Sequence, residues 1–286
     1  IVVDNASTDD SVPAISDQYP EAELVVNSEN LGGTGGFNTG LKHASESGRY
    51  KYIWLLDNDA EVKKDTLREL VNALEADERA GMAGSRIMDP EKRDVTVEAG
   101  AYFKWNTVGV LPLFRNTRNT HTDRNVYEVD YVAVCSALIR VDALDKVGLM
   151  DERYFLFWDD MDWGLEFRKY GYRVLSVMSS VVYHPAFTEK RGVLVDYYYG
   201  NRNSLLAYTK HTRAGRRILI FYSYLRLKCC QLFLVGLNGR ISDMKLGFKG
   251  IYDFIIGNWG GIRSAPDQTE MEESASELPG IARKIL

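Results

Sequence analysis

The sequence predicts an α/β fold with a mostly parallel sheet and a helical C-terminal extension. Short apolar runs rich in Val and Ile alternate with helical stretches over residues 1–75, and each apolar run stops at polar, turn-forming residues. This alternation is typical of βαβ units, which pack helices on both faces of a parallel sheet. With 286 residues, of which 45% are hydrophobic, the chain is long enough to bury a full core.

Two strand and helix pairs precede the middle of the sheet. The runs IVV and ELVVN have the β-branched composition of strands, and polar residues separate each from the helix that follows. The predicted elements are a strand at residues 1–3, a helix at 12–19, a strand at 23–27, a glycine-rich turn at 32–36 and a helix at 39–47.

Residues 51–62, KYIWLLDNDAEV, form the stretch around which the fold is organised. Its apolar part, IWLL, does not alternate with polar residues, which favours a strand covered on both faces. On an extended backbone Asp57 and Asp59 point to one side and Asn58 to the other. Two carboxylates close together at a strand end favour a divalent cation between them. A plain polar turn after a buried strand is the alternative.

The second half of the chain is less regular. The first half ends with a predicted amphipathic helix at 66–75. In the second half, the WDDMDW stretch leads into a predicted helix that ends at Gly171, a residue suited to a C-cap. The other predicted elements are a hairpin at 99–114, a polar loop at 116–125, a buried strand at 131–141, a short helix at 142–147 and an extended stretch at 173–183 that ends at His184.

The C-terminal quarter differs in composition from the rest. We divide the chain into a catalytic domain at 1–212, a basic amphipathic helical region at 213–263 and an acidic tail at 264–286, which we expect to be disordered. Arg226 and Lys228 interrupt the apolar part of the middle region, which disfavours a buried membrane-spanning helix. Its composition leaves two interpretations open: a surface helix on anionic lipid, or a helical cap packed on the core.

Charge and cysteine content restrict the class of protein. A net charge of -5 and a pI of about 5.5 argue against a nucleic-acid partner. The three cysteines lack metal-binding spacing, which favours reduced thiols and a cytoplasmic protein. The chain carries no signal peptide, lacks an initiator Met and opens within a strand pattern, so we expect an N-terminal piece to be missing.

The glycine-rich stretch from Gly32 to Gly36 fits neither the dinucleotide fingerprint nor the P-loop. It can bring backbone N–H groups and a helix N-terminus close to a diphosphate or ribose, although a turn without a ligand looks the same. Asp4 and Asn5 lie just past a strand end, where they can accept hydrogen bonds from a base or a ribose. A helix cap is the alternative for both.

The WDDMDW stretch is a more specific signal. Asp159 or Asp160 lies at the first turn of a helix, where the macrodipole stabilises an anion. A single Asp is explained as an N-cap with Asp162 as its capping-box partner, but three acidic residues between two tryptophans are more than a cap requires. An Asp here is a candidate general base, and Trp158 or Trp163 is a candidate platform for a sugar.

In this order, the segments VVDNAS, NLGGTGGFNTG, LLDNDAEV, FLFWDDMDWGLEFRKYGYRV and VVYH resemble family-2 glycosyltransferases of the GT-A fold. The resemblance covers roughly residues 1–210 and is strongest to bacterial rhamnosyl- and galactofuranosyltransferases. It implies a Rossmann-like α/β/α sandwich that binds a nucleotide sugar, UDP-galactofuranose or dTDP-rhamnose, together with Mg2+ or Mn2+. The sugar would pass with inversion to a cell-surface glycan or a polyprenyl-diphosphate-linked acceptor, at the inner face of the cell membrane.

The resemblance also implies roles for individual residues. His184, which alone would be interpreted as a structural histidine, completes a metal site with Asp57 and Asp59, and Asp160 is the general base. The residues expected to bind the donor are Asp4, Asn5, Asn30, Gly33 and Asn58. Those expected to bind the acceptor are Trp158, Asp159 and Trp163.

Two departures and two alternatives accompany this interpretation. Family members begin with another strand and turn that helps to hold the nucleotide base, and no such segment precedes Ile1 in this sequence. The sequence also lacks the Gln-x-x-Arg-Trp element of processive synthases, which favours transfer of one or a few sugars. A nucleotidyltransferase would need a basic, glycine-rich signature near the start, and residues 1–11 contain no Lys or Arg. A sugar-nucleotide- or lipid-binding module without activity is the other alternative.

Overall fold

The computed structural model describes residues 1–106, 108–118, 124–185 and 194–262. Its strands are β1 (Val2–Asp4), β2 (Leu24–Val26), β3 (Tyr52–Leu56), β4 (Glu61–Val62), β5 (Ala80–Met88), β6 (Val95–Glu98), β7 (Ala101–Lys104), β8 (Gly109–Pro112), β9 (Thr117–Arg118), β10 (Val126–Val129), β11 (Ser136–Arg140) and β12 (Arg173–Tyr183). Its α-helices are α1 (Ser11–Gln18), α2 (Gly32–Glu46), α3 (Thr66–Glu75), α4 (Val141–Val147), α5 (Asp159–Lys169), α6 (Gly200–His211), α7 (Ala214–Leu237) and α8 (Ile241–Ile256). A π-helical segment, Leu194–Tyr199, leads directly into α6.

The main sheet has the strand order β10-β12-β5-β11-β3. Strands β5 and β12 pair in parallel, whereas β11 is antiparallel to both β5 and β3. It follows that β3, β5 and β12 run in the same direction and end at the same edge of the sheet. The predicted α/β class is confirmed, but the sheet is more mixed than the sequence predicts, because β11 inserts between two strands joined by the α3 crossover.

The predicted helix at 39–47 begins earlier than expected, since α2 starts at Gly32. The glycine-rich stretch is therefore the first turns of a helix and not a separate turn. Gly32 has a φ of +72°, and a Cβ atom at this position would lie 2.2 Å from the carbonyl oxygen of Phe155. Only glycine allows the helix start to approach that loop so closely.

Most other predicted elements agree with the structure. The helix at 66–75 and the strand at 173–183 are confirmed as α3 and β12, and β7 and β8 form the predicted hairpin. The strand predicted at 131–141 is shorter, since β11 begins at Ser136. Half of the polar loop predicted at 116–125 lies outside the described residues.

One hydrophobic core lies between the sheet and its covering helices, with Leu41, Leu55, Met82, Ile139 and Phe167 all nearly inaccessible to solvent. Full burial of a side chain of this size stabilises the fold by about 1.5–3 kcal/mol. A second core packs the hairpin against α6, α7 and α8. The two cores hold the sheet edge and the C-terminal helices in fixed positions.

The region predicted as basic and amphipathic, residues 213–263, is helical through α7 and α8. By length and composition alone, α7 could cross a membrane, and 11% of its most apolar window is buried. The acidic tail at 264–286 lies outside the described residues. The division into three regions stays a prediction.

Candidate active site

Three side chains predicted to hold a metal meet at one edge of the main sheet. Asp57 and Asp59 follow β3, and His184 follows β12, which runs in the same direction. The short strand β4 pairs with the end of β12, with Val62 opposite Val182, and so draws the segment after Asp59 across the sheet edge. We call Asp57, Asp59 and His184 the open cluster.

The geometry of the open cluster suits a divalent cation. The Nε2 atom of His184 lies 3.2 Å from Oδ2 of Asp57 and 3.0 Å from Oδ1 of Asp59. One ligand atom from each residue lies within 4.8 Å of the other two. Carboxylate oxygens with one imidazole nitrogen are donors that Mn2+ and Mg2+ accept, so the residues fit the predicted metal.

The electrostatics of the cluster agree with its geometry. Burial alone would lower the pKa of His184, but the hydrogen bond to Asp57 and the charge of Asp59 outweigh it and raise the pKa above its ordinary value. The carboxylates therefore attract positive charge to this position, whether a proton or a metal ion.

The predicted base, Asp160, and the open cluster act electrostatically on the same buried thiol, that of Cys135. Burial raises the pKa of the Cys135 thiol well above its usual range, and the charges of Asp57 and Asp160 raise it further. Burial likewise raises the pKa of Tyr131, followed by the charges of Glu98 and Asp160. The carboxylates of Asp57, Glu98 and Asp160 thus all act on the Cys135 thiol.

Two of the predicted donor-binding residues, Asn5 and Asn30, lie together at the glycine-rich helix start. The Asn5 side-chain amide donates to Oδ1 of Asn30 at 3.0 Å and to the Gly32 carbonyl at 2.9 Å. Its oxygen accepts from the backbone N–H of Leu31 at 3.1 Å. Asn5 therefore ties the turn after β1 to the start of α2.

Asp4, Gly33 and Asn58 complete the predicted donor set. Asp4 is buried, and hydrogen bonds from the Ser7 side chain and backbone lower the pKa of its carboxyl. A Cβ atom at Gly33 would lie 3.5 Å from Leu156, which is an ordinary van der Waals contact. A larger residue is therefore sterically possible at Gly33 but not at Gly32. Asn58 is exposed at the tip of the turn.

Asp159 is buried and bonded to the glycine-rich helix. Its Oδ2 atom accepts a hydrogen bond from the Thr34 hydroxyl at 2.8 Å. Burial raises the pKa of Asp159, and the Thr34 hydrogen bond opposes this rise. The bond joins the N-terminal turns of α2 and α5, which carry the predicted donor contacts and the predicted base.

The loop before α5 has an unusual backbone. Phe155, Phe157 and Trp158 have φ values of 62°, 68° and 76°, in the left-handed region that side-chain-bearing residues rarely adopt. Each such residue costs on the order of 1–3 kcal/mol and persists only where its surroundings hold it. We call residues 154–158 the strained loop.

The two tryptophans predicted to contact a sugar differ in position. Trp158 is half-buried, with its ring centroid 6.0 Å from that of Phe103 and 5.9 Å from that of Tyr208. Trp163 is 1% exposed, donates from its indole N–H to the Gly148 carbonyl and packs in the core. The prediction that Trp163 binds the acceptor is wrong, because its ring has no face open to solvent.

Asp162 belongs to a second acid and histidine group, which is closed. Its carboxylate accepts from the Tyr154 hydroxyl at 2.9 Å and lies 2.6 Å from Nζ of Lys210 and 2.7 Å from Nε2 of His211. We call these four residues the closed cluster. It joins α5 to α6 and explains the third acidic residue of WDDMDW as structural.

Several residues of the site were not anticipated from the sequence. Thr34, Glu98, Arg202 and Asn203 are all buried polar residues next to predicted ones. The one signal for the last two is the polar run Asn-Arg-Asn between three tyrosines and an apolar helix. Buried polar residues in such a position need partners, and the contacts of Arg202 and Asn203 are described below.

The fold and site define a class of protein, an α/β domain with the GT-A architecture. A mannosyltransferase of Pyrobaculum calidifontis, solved with GDP-Man and Mn2+, superposes over 96% of this chain and 69% of its own with a TM-score of 0.51 at 17% identity. At this identity the likeness concerns the fold.

Sequence comparison gives the family. The profile of glycosyl transferase family 2 matches residues 1–148, and the chain belongs to this family. A galactofuranosyltransferase of Mycobacterium tuberculosis is 21% identical over 93% of this chain and 46% of its own length. An N-acetylglucosaminyl-diphospho-decaprenol L-rhamnosyltransferase of the same species is 26% identical over 64% of this chain and 65% of its own. The chain thus spans about half to two thirds of the length of these relatives.

Proposed function

We propose that this chain carries an inverting, divalent-metal-dependent glycosyltransferase activity that uses a nucleotide-sugar donor. The observation that carries the proposal is the convergence of Asp57, Asp59 and His184 from the ends of two strands. The charge of Asp160 acts on the buried Cys135 thiol, as the charges of Asp57 and Asp59 do. Paired carboxylates with an imidazole suit a cation that binds a diphosphate, and a further carboxylate supplies a base.

Different residues would act as the base, hold the cation and orient the nucleotide in this reaction. Asp160 accepts the proton of an acceptor hydroxyl while that oxygen bonds to the anomeric carbon from the face opposite the diphosphate. The bond from the anomeric carbon to the diphosphate breaks, and the nucleotide diphosphate leaves with its electron pair. Asp57, Asp59 and His184 would hold the cation, which neutralises charge on the leaving diphosphate. Asn5, Asn30 and the N-terminus of α2 would orient the nucleotide.

For the sugar and the acceptor, the proposal follows the relatives. One relative is named as a galactofuranosyltransferase and another as a rhamnosyltransferase acting on a diphospho-decaprenol acceptor. We therefore infer UDP-galactofuranose or dTDP-rhamnose as donor and a glycan or polyprenyl-diphosphate-linked acceptor. Among acceptor contacts, Trp158 and Asp159 remain in the proposal.

The test is an assay of UDP- and dTDP-sugars with Mn2+ or Mg2+, with and without acceptor, followed by mass spectrometry of the products. Metal-dependent release of nucleotide diphosphate together with a glycosylated acceptor supports the proposal. Release of pyrophosphate from a nucleoside triphosphate and a sugar phosphate would indicate a nucleotidyltransferase. Binding of the sugar nucleotide without turnover would indicate a binding module.

Replacing the base separates chemistry from binding. We expect Asp160→Asn to lower kcat about a hundredfold or more, since the acceptor proton then lacks a base, while the affinity for Mn2+ is unchanged. Asp142→Asn, which alters an exposed Asp in the first turn of α4, is the matched control. Near-normal transfer by Asp160→Asn would exclude this residue as the base.

We further propose that α7 binds the cytoplasmic face of a membrane that contains anionic lipid. Ile218, Leu219 and Tyr222 are 84%, 64% and 64% exposed, and Arg216 and Arg217 precede them on the same exposed end of the helix. Apolar side chains beside arginines suit an interface between acyl chains and anionic headgroups, which is where a polyprenyl-linked acceptor would lie.

Vesicle flotation tests this partner. We expect the protein to float with vesicles that contain anionic lipid, and Ile218→Asp to weaken this binding more than Leu67→Asp, which alters an apolar residue that is 40% exposed on α3. If vesicle binding weakens as the salt concentration rises, the result supports a helix at the membrane interface. If the protein stays bound to vesicles in high salt, the result would indicate insertion across the bilayer. Protein that stays in solution with anionic vesicles would exclude membrane binding.

A further inference from the structure

The strained loop, residues 154–158, ends where the predicted base begins. Trp158 is the N-cap residue of α5, and Asp159 and Asp160 are the first two residues of that helix. The loop contains three residues with left-handed backbone angles, which cost free energy. The loop would therefore leave this conformation unless neighbouring groups held it. The position of Asp160 therefore depends on whatever holds the loop.

Two adjacent side chains of α6 supply most of the donors for the loop. The Asn203 amide nitrogen lies 3.0 Å from the Tyr154 carbonyl, 2.8 Å from that of Leu156 and 2.7 Å from that of Phe157. The Arg202 guanidinium donates to the Tyr154 carbonyl at 3.0 Å and to the carbonyl of Arg153 at 3.3 Å. Of the two remaining carbonyls of the loop, that of Phe155 accepts from the backbone N–H of Thr34 and that of Trp158 from the backbone N–H of Asp162.

Burial makes these hydrogen bonds strong constraints. Arg202 and Asn203 are both fully buried, at 0% exposure. Arg202 is held in turn, since its Nη1 donates to the Gly260 carbonyl at 2.7 Å and its guanidinium lies 5.0 Å from the ring centroid of Tyr199. A planar, fixed donor fork at a fully buried position can specify one backbone conformation.

We propose that Arg202 and Asn203 are positioning residues, which hold the strained loop so that Asp160 meets the acceptor hydroxyl. The inference rests on the proposed function, because it assigns Asp160 the role of base. It makes α6, which follows the sheet in the chain, part of the apparatus that aligns the catalytic group. Misplacing a reacting group by about 1 Å can cost about a hundredfold in rate.

The experiment compares three variants of the full-length protein: Asn203→Ala, Arg202→Lys and the control Asn201→Ala. Asn201 is buried on the same helix, and its amide donates to the Tyr197 carbonyl and not to the strained loop. We expect both test variants to lower kcat roughly 10- to 100-fold, with the KM for the donor and the affinity for Mn2+ and UDP or dTDP unchanged. The control should keep the kcat of the wild type.

A second measurement does not depend on activity. Backbone amides of residues 155–160 should exchange with deuterium faster in Asn203→Ala than in the wild type, whereas amides of β3 and β12 should exchange at the same rate. A purely structural role would instead reduce kcat, nucleotide-binding stoichiometry and protection of the whole sheet together. Unchanged exchange at residues 155–160 overturns the proposal.

The outcomes separate this inference from the proposed function. If Asp160→Asn is impaired but Asn203→Ala and Arg202→Lys transfer sugar like the wild type, the positioning role fails and the glycosyltransferase stands. If the wild type transfers no sugar while exchange at residues 155–160 still rises in Asn203→Ala, the proposed function fails and the hold of α6 on the loop stands.

Discussion

The open cluster and the closed cluster each place a histidine against carboxylates, and they differ in the source of compensating positive charge. In the closed cluster, Lys210 neutralises Asp162, whose side chain is 2% exposed, and His211 lies within hydrogen-bond distance of the same carboxylate. In the open cluster the side chains of Asp57 and Asp59 are 32% and 56% exposed, and their ion-pair partner in the described part of the chain is His184. Within the described residues, a lysine balances the carboxylate of the closed cluster, whereas the open cluster is a candidate cation site.

This difference teaches how to interpret acidic motifs. Both DND and WDDMDW suggest a functional site in the sequence. DND supplies Asp57 and Asp59 to the open cluster, whereas WDDMDW supplies Asp162 to the closed cluster. A buried carboxylate with its own Lys and Tyr partners is stabilised without a ligand, so its role is to join helices. Carboxylates that converge at a sheet edge with one imidazole keep their capacity to bind a metal.

The largest expected effect breaks the open cluster. Asp59→Asn removes a charged ligand without changing shape, so we expect Mn2+ affinity and transfer activity to fall by more than the roughly 10–100-fold that outer-shell substitutions cost. Isothermal titration with Mn2+ and a transfer assay measure both effects. Glu61→Gln, two residues further along and paired with Arg93, is the control. Equal Mn2+ affinity in Asp59→Asn and the wild type would show that the cluster holds no metal.

The next effect breaks the closed cluster. We expect Asp162→Asn to lower the free energy of unfolding by about 3 kcal/mol, because Lys210 loses a buried counter-charge and His211 loses the carboxylate it contacts. Urea unfolding at neutral pH measures this change, and Mn2+ affinity should stay as in the wild type. Asp17→Asn, an exposed helical carboxylate, should change stability little. If Asp162→Asn instead bound Mn2+ more weakly at unchanged stability, the two clusters would not be distinct.

The smallest expected effect is a pH-dependent change in stability at Asp151, which pairs with Lys210 of the closed cluster. Burial alone would raise the pKa of Asp151, but the hydrogen bond from Arg153 and the charge of Lys210 lower it to about 2. A carboxyl with a lowered pKa stabilises the fold above its ordinary pKa, and this contribution is lost as pH falls toward 2. The stability difference between the wild type and Asp151→Asn should therefore be full near pH 6 and shrink below pH 4. Urea titrations at several pH values measure it, and a constant difference would contradict the assignment.

Local sequence was sufficient for much of the fold. The repeats of Leu70 and Leu74 define α3, the β-branched run at 173–183 defines β12, and Gly171, with a φ of +85°, follows α5 as predicted. These features depend on side-chain periodicity and backbone freedom, which neighbouring residues determine. The start of α2 was misjudged because glycines favour turns locally, and only contact with the strained loop explains why they begin a helix.

The sequence by itself determined the class of fold and the family, because short motifs at strand ends keep their meaning without the rest of the chain. It also predicts Asp57, Asp59, Asp160 and His184 as the residues of the candidate site. Only the tertiary structure decided which acidic residues are already neutralised, that Trp163 is core, and that α6 reaches back to the strained loop. Those properties depend on residues 40 or more positions apart, such as Asp162 with Lys210 and Leu156 with Asn203, and chain proximity does not encode such pairs.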